Sequence, residues 1–375
     1  MRVESAPLAD ALQTATGSRN ARATLRGDSP MQCTLLIPCL FWPKESAEAA
    51  TSGLTVPALG TLLGRSRPQR FEAIQIEGWL CQAFQVERQQ DWPVAPFTLA
   101  VDGGEVGDAY WLRADPVHLE VERDRLRMIG SALFDLDADE TQSFVSALNT
   151  HFASTAISFH APAPKRWYVR VERSPKLVTH CASEVAGQDV QRFLPSGPDA
   201  REWHGIFNEV QMLLHAHVVN AAREERGEPV VNSVWFWGGG VQAPVHGRPY
   251  DQVWSDDVLA TALAISGDVP ALRRPADATA WLTLPDTEAT GDSSHLIVLD
   301  DLAAASAQQD GTLWRERVAA LEKEWFAPLV RALRERRISR LALVVPGETG
   351  CWRFDLRHRD LLKFWRHAKS WTEYA

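Results

Sequence analysis

Residues Asp199–Gly240, DAREWHGIFNEVQMLLHAHVVNAAREERGEPVVNSVWFWGGG, organise the reading of the whole chain. They divide into a long helix, a short break, an apolar strand and a run of three glycines. Asp199 and Glu202 sit at the spacing of a capping box. Trp203, Ile206, Phe207, Val210, Leu213 and Leu214 follow the helical period and mark a buried face. Asn208, Gln211 and His215 fall at i, i+3 and i+7 and share a second face. Solvated helix faces are usually rich in Lys and Glu. Two amides and an imidazole form either a polar seam bonded to a neighbouring loop or the lining of a pocket. Arg223 to Arg226 is charged, Gly227 reads as the C-terminal cap, and Pro229 stops the helix.

Val230–Trp237 alternates as a strand, with Val234 and Phe236 on one side and Trp235 and Trp237 on the other. Gly238, Gly239 and Gly240 then suit a tight turn or a close backbone approach to a ligand such as a phosphate. There is no GxGxxG and no Lys-Ser/Thr after the glycines, so neither dinucleotide nor P-loop chemistry is supported. His215 and His217 lie about 200° apart on a helix and do not converge on one metal.

Upstream, residues 1–30 carry Ala, Ser, Thr and Arg without an apolar signal core, and are expected to form a disordered extension before a fold that begins near Met31. Thr34–Pro38 reads as the first strand. Leu54–Leu63 and Phe71–Phe84 read as helices, and Phe97–Val101 and Tyr110–Arg113 as strands. Ala114–Leu119, ADPVHL, reads as a turn in which Asp115 and His118 are an acid/base pair, two metal ligands, or simply an Asx turn. Asp137 or Asp139 caps a helix from Glu140 to Phe152, and Ile157–Phe159 and Trp167–Glu172 follow as strands.

Downstream, Asp256 or Asp257 opens a helix over Val258–Ile265, and Ala280–Leu284 and His295–Leu299 read as strands. Asp300 and Asp301 follow the second of these, at the strand edge where α/β folds place sites. A long helix over Leu313–Arg336 should kink at Pro328. Leu341–Val345 and Trp352–Leu356 are strands, and Asp360–Lys369 an amphipathic helix.

The net charge of −9 and pI near 5.7 argue against a general nucleic-acid binder. Apolar runs are strand-length, so no membrane partner is expected. The five cysteines, Cys33, Cys39, Cys81, Cys181 and Cys351, are scattered, which points to a reducing cytoplasm rather than a disulfide framework. No GxSxG, HExxH or DxDxDG motif is present.

The stretch HAHVVNAAREERG…VNSVWFWGGG is similar to a segment of the archaeal-type 2,3-bisphosphoglycerate-independent phosphoglycerate mutases of the alkaline phosphatase superfamily. His217, Asn220, Arg223, Asn232, Trp237, Gly238 and Gly240 carry the likeness. It continues weakly through Asp256-Asp257, Gly267 and the helix after Asp300, and spans roughly Asp199–Val345. The whole chain, ADPVHL included, resembles the bacterial RpfE-type regulatory-protein family, whose members are often labelled as such mutases. The resemblance implies an α/β fold: a mainly parallel, alkaline-phosphatase-like sheet flanked by helices. The expected core is 31–94 with 199–375, and the expected insertion is a smaller α+β unit over 95–198.

The mutases require two divalent metals held by Asp and His, and a serine nucleophile. Here Leu36-Ile37-Pro38-Cys39 replaces the acidic motif of the first strand, no His follows Asp300, and Leu341–Pro346 lacks the Asp-His pair. The expectation is therefore a regulatory or ligand-binding relative with no metal or other cofactor. Its pocket at the carboxyl edge of the sheet would be built from Asn208, Gln211, His215, His217, Asn220, Arg223, Asn232, Trp237 and Gly238–Gly240, with Arg223 facing a small phosphorylated anion. One alternative is an active mutase or phosphatase using Asp115, His118, Asp300 and Asp301. Another is a scaffold presenting Trp235 and Trp237 to a protein partner.

Overall fold

A computed structural model describes residues 31–122, 125–284, 293–366 and 373–374. The expected extension over 1–30 lies outside the described residues. The strands run in chain order as β1 (Met31–Leu36), β2 (Arg67–Phe71), β3 (Tyr110–Glu122), β4 (Arg125–Gly130), β5 (Ile157–Ala163) and β6 (Arg166–Val171), followed by β7 (Ser233–Gly240), β8 (Gln252–Trp254), β9 (Ala271–Leu272), β10 (Ser294–Val298), β11 (Ile338–Val345) and β12 (Cys351–Arg357). The chain divides into two compact units. One comprises residues up to Gln85 with Val245–Ser306 and Asp310–Ala375; the other is Val86–Pro244 with Ala307–Gln309.

The first unit is α/β, with a mostly parallel sheet in the order β2-β12-β11-β1-β10-β8-β9. The run from β11 to β9 is parallel, and β12 and β2 are antiparallel to it at one edge. Strands in the middle of such a sheet are covered on both faces and read as unbroken apolar runs. Leu35, Leu36, Ile297 and Leu343 are accordingly without exposed surface. Helices supply the rest of the core through Leu59, Leu62, Trp314, Val318, Leu329 and Leu333.

The long helix expected over Leu313–Arg336 forms as Gly311–Leu321 and Ala327–Arg334, joined by one π turn at Glu322–Phe326. Pro328 lacks the N–H that would bond Glu324, and its ring crowds that carbonyl, so the backbone widens just ahead of it instead of simply kinking. The turn aims the buried Glu322 carboxylate at a second helix, Pro57–Arg65, where it accepts from Ala58 N at 2.6 Å and Leu59 N at 2.9 Å. That helix has no side-chain cap of its own, so Glu322 satisfies two of its orphan N–H groups and opposes its dipole.

The second unit is built on an antiparallel sheet. β3 pairs with β6 and β4 along one edge and with β7 along the other, and β5 extends β6. The sequence boundaries put Asp199–Gly240 with the parallel core; its strand instead pairs with β3, and the stretch lies in this unit.

Several local expectations are overturned. Phe97–Val101 is helical, within Val94–Val101; six consecutive residues, Val94–Leu99, are buried, so no one-sided stripe marks the helix. Ala280–Leu284 is a helix too, Ala278–Thr283, capped by Asp277. The ADPVHL turn is continuous strand within β3. Arg67–Phe71 forms β2, and the helix expected over Phe71–Phe84 covers only Ile76–Ala83. Asp360–Lys369 begins as a short 3-10 helix, His358–Leu362, and its end lies outside the described residues.

Candidate functional site

In the central stretch the expected single helix breaks into Ala200–His215 and Val218–Glu225. The first buries Trp203, Phe207, Val210 and Leu214. Trp203 meets Phe236 edge-on at 5.1 Å, and Phe207 meets Trp235 at 6.3 Å. Asp199 makes no side-chain cap; its carboxylate accepts from Lys176 N at 2.8 Å instead. Asn208 and His215 are exposed, and Gln211 reaches Ser233 Oγ at 3.4 Å. The polar face is therefore a largely solvated edge and not a pocket wall.

The polar residues that carry the resemblance are connectors, Asn220 and Arg223 buried and His217 and Asn232 half-buried. His217 caps the second helix by accepting from Val219 N at 3.3 Å, and its ring packs on Phe144 at 4.6 Å. Burial holds its pKa below the usual histidine value. Asn220 donates to Leu214 O at 2.7 Å and Val231 O at 2.8 Å, and accepts from Val231 N at 2.9 Å, tying helix, helix and strand together. Asn232 exchanges two bonds with the Leu119 backbone, at 2.7 and 2.9 Å.

Arg223 is 1% exposed. Its guanidinium donates to Glu140 Oε2 at 2.6 Å, Asp135 O at 2.7 Å and Pro229 O at 2.8 Å. These partners make it a strut between helices, not the receptor for an anion.

The three glycines are not a turn. They are the buried end of β7, and each is needed because another element lies where a side chain would go. A Cβ on Gly239 would stand 2.4 Å from Tyr110 Oη, one on Gly238 2.9 Å from Val94, and one on Gly240 2.5 Å from Pro93. Trp235 and Trp237 are buried and offer no partner surface.

Asp115 belongs to a buried network in which the sequence reading missed the other members. Arg113 lies two residues away on the same face of β3. It donates to Asp115 Oδ1 through Nη2 at 2.6 Å and Nε at 3.0 Å, and to Thr98 Oγ1 at 3.3 Å. Its guanidinium lies 5.2 Å from the Tyr168 ring centroid and 5.3 Å from that of Trp237. Trp237 Nε1 donates to Asp115 Oδ2 at 2.8 Å, and Tyr168 Oη to Asp102 Oδ2 at 2.6 Å. Burial is the largest influence and acts to lower the Arg113 pKa, but the Asp115 charge, Tyr168 and the hydrogen bond to Asp115 together outweigh it and the net shift is upward. Burial would likewise raise Asp102, yet hydrogen bonds from Arg166 and Tyr168 hold it below the usual carboxylate range. His118 Nδ1 donates to Val230 O at 2.9 Å. Such a network, with each charge matched, fixes three strands and a helix. The i, i+2 spacing of Arg113 and Asp115 in an apolar run was the available signal.

Asp300 and Asp301 lie in the other unit, after β10. Asp301 is paired with Arg274, which also reaches Asp256 Oδ2 at 3.4 Å. Burial holds the Asp300 carboxyl above its ordinary range. Its own backbone N–H and Arg274 oppose this, while Asp301 and Asp256 add to it.

The neighbouring parallel strands end without acids. β1 runs into Cys39, at φ 60°, and β11 into Pro346-Gly347. The Cys39 thiol is pushed up by burial; a Ser306 hydrogen bond opposes this, and Glu77 and Glu348 reinforce it. Among the described residues no three His, Cys, Asp or Glu side chains are placed to hold a metal ion. A two-metal centre does not fit this donor set.

The chain resembles 2,3-bisphosphoglycerate-independent phosphoglycerate mutases over part of its length. It is 24% identical over 107 residues to the protein of that name from Methanosarcina mazei, covering 28% of this chain and 27% of that one. It is 26% identical over 149 residues to a probable mutase of the same kind from Geobacter sulfurreducens, covering 39% and 37%. The aligned stretches thus span between a quarter and two fifths of these curated relatives. No protein-family model matches the chain. In fold it resembles the PH0037 protein from Pyrococcus horikoshii, with a TM-score of 0.54, 10% identity and 92% of each chain covered. A relation to phosphoglycerate-mutase-like proteins stands on the sequence matches, and an α/β fold shared with a solved protein stands on the structural one.

Proposed function

We propose that this protein is a cytoplasmic regulatory or ligand-binding relative of the phosphoglycerate mutases, of the RpfE type, and that it does not carry out metal-dependent phosphoryl transfer. One observation carries the reading. The carboxyl edge of the parallel sheet offers Cys39, Pro346 and Gly347 at two of its strand ends, and at a third it offers Asp301 already matched by Arg274. Phosphoryl transfer at a two-metal centre needs several carboxylates and imidazoles aimed at a shared point. Here Asp301 is matched by Arg274 and Asp300 is held above its ordinary range by burial.

A small phosphorylated anion remains the ligand class the reading favours, but Arg223 is not its receptor. Arg274 also has carboxylate partners, Asp301 and Asp256, but it is part-exposed at the sheet edge, where an anion can compete for it.

Phosphorus NMR of 2- and 3-phosphoglycerate with purified protein, with and without manganese and with chelator as control, tests the reading. The expected outcome is no interconversion, with broadening of the phosphate signal that Arg274→Gln abolishes. Manganese-dependent turnover would sink the proposal and favour the active-mutase alternative suggested by the names of the curated relatives.

A further inference from the structure

A second feature lies away from the sheet edge, where the chain turns after β12. The 3-10 helix His358–Leu362 leads into a turn at Lys363–Arg366 that raises three apolar side chains into solvent. Leu362 is 66%, Phe364 73% and Trp365 63% exposed. The two rings brace each other edge to face at 5.3 Å. Single exposed hydrophobes are ordinary, but three within four residues are not.

The same segment is strongly basic. Residues 331–337 and 357–366 hold eight arginines and lysines against Glu335 and Asp360, in a chain whose net charge is −9. The two segments adjoin, since His358 Nδ1 donates to Leu333 O at 3.2 Å. Asp360 is turned inward, accepting from Arg357 N and pairing with Lys363. Arg331, Arg334, Arg336, Arg357 and Arg359 are exposed. The local charge is thus opposite to that of the molecule and accompanies the exposed apolar residues in the same run of sequence.

We infer that this face docks on an anionic lipid bilayer, with Phe364, Trp365 and Leu362 entering the headgroup region and the arginines matching lipid phosphates. Trp favours the bilayer interface, and basic side chains add attraction to an acidic leaflet. Side chains that stand out of the surface need a medium that yields to them; a protein partner would need a matching pocket. Aliphatic Leu362 has no face on which a nucleobase stacks, which separates the arrangement from a single-strand nucleic-acid platform. No helix among the described residues is long and apolar enough to cross a membrane, so the association would be peripheral.

The test is flotation of the full chain with vesicles of phosphatidylcholine alone and of an equal mixture with phosphatidylglycerol. Binding is expected to the mixed vesicles only, and to fall as salt rises. Phe364→Ala with Trp365→Ala should abolish it, and Arg334→Gln or Arg336→Gln should each weaken it roughly fivefold. All these side chains are exposed, so circular dichroism of the variants should match wild type. No binding to anionic vesicles overturns the inference, as does binding that ignores salt or survives the double aromatic change. Capture of a polyglutamate peptide or an oligonucleotide through the same residues, without vesicle binding, overturns it in favour of that partner.

Discussion

Asp115 accepts two bonds from Arg113 and one from the Trp237 indole, all out of contact with water. Removing it leaves a buried guanidinium with Thr98 as its remaining acceptor, and Asp115→Ala should lose about 3–5 kcal/mol of stability in urea unfolding. Replacing both partners, Arg113→Met with Asp115→Leu, is expected to be milder than the single change, because no uncompensated charge remains. A double variant worse than the single would show that the pair does more than match charge. Asp300 behaves in the opposite sense. An acid whose folded pKa is raised contributes stability below its unfolded value, and that contribution is lost as pH rises through the folded value. Asp300→Asn should therefore melt no lower than wild type at neutral pH, and calorimetry should show the two converging as the pH falls below about 4. A variant less stable at neutral pH would mean that the ionised carboxylate is needed. The Arg113–Asp115 pair was within reach of the sequence, since strand alternation puts the two on one face. Pro116 hid it by suggesting a turn, although a proline without its N–H can sit within a strand that has other partners.

At the scale of elements, β7 shows why its glycines were legible as special but not as to purpose. A glycine run after a strand is compatible with a ligand loop and with tight packing, and only the neighbours decide between them. Here Tyr110, Val94 and Pro93 occupy the space. Gly239→Ala, at the closest of these approaches to a side-chain atom, should cost about 1–3 kcal/mol through forced repacking, read as a lowered urea midpoint. Unchanged stability would mean that Tyr110 swings away freely. The segment Val94–Val101 was misread for a related reason: with Val94–Leu99 all buried, the periodicity by which helices are recognised is lost, and Pro96 in its first turn looks like a breaker although it is tolerated there. The parallel strands were readable because burial on both faces writes itself into composition.

The whole molecule follows a division that local patterns do not encode. β3 and β7 are more than a hundred residues apart in sequence, and nothing in either names the other. The central stretch was consequently assigned to the parallel core, and its polar residues to a pocket there, whereas Asn220, Arg223 and Asn232 tie helices and strands within the antiparallel unit. Charge, by contrast, is additive and was fully legible. With −9 overall, the protein should not retard duplex DNA in a gel-shift assay at physiological salt. Retardation under those conditions would mean that the basic face governs binding despite the surrounding acids.

The π turn ahead of Pro328 also sets the phase of everything after it. Leu321 and Leu329 are eight residues apart, which in an unbroken α-helix would leave them about 80° out of line. One residue absorbed in the wider turn brings the interval to an effective seven, within about 20° of alignment, and both side chains are buried. The segment therefore behaves like a vernier. Straightening the turn with all its residues kept would swing Leu329 and Leu333 off the sheet, whereas deleting one residue between Glu322 and Phe326 would restore ordinary helical winding at an interval of seven and leave them in place.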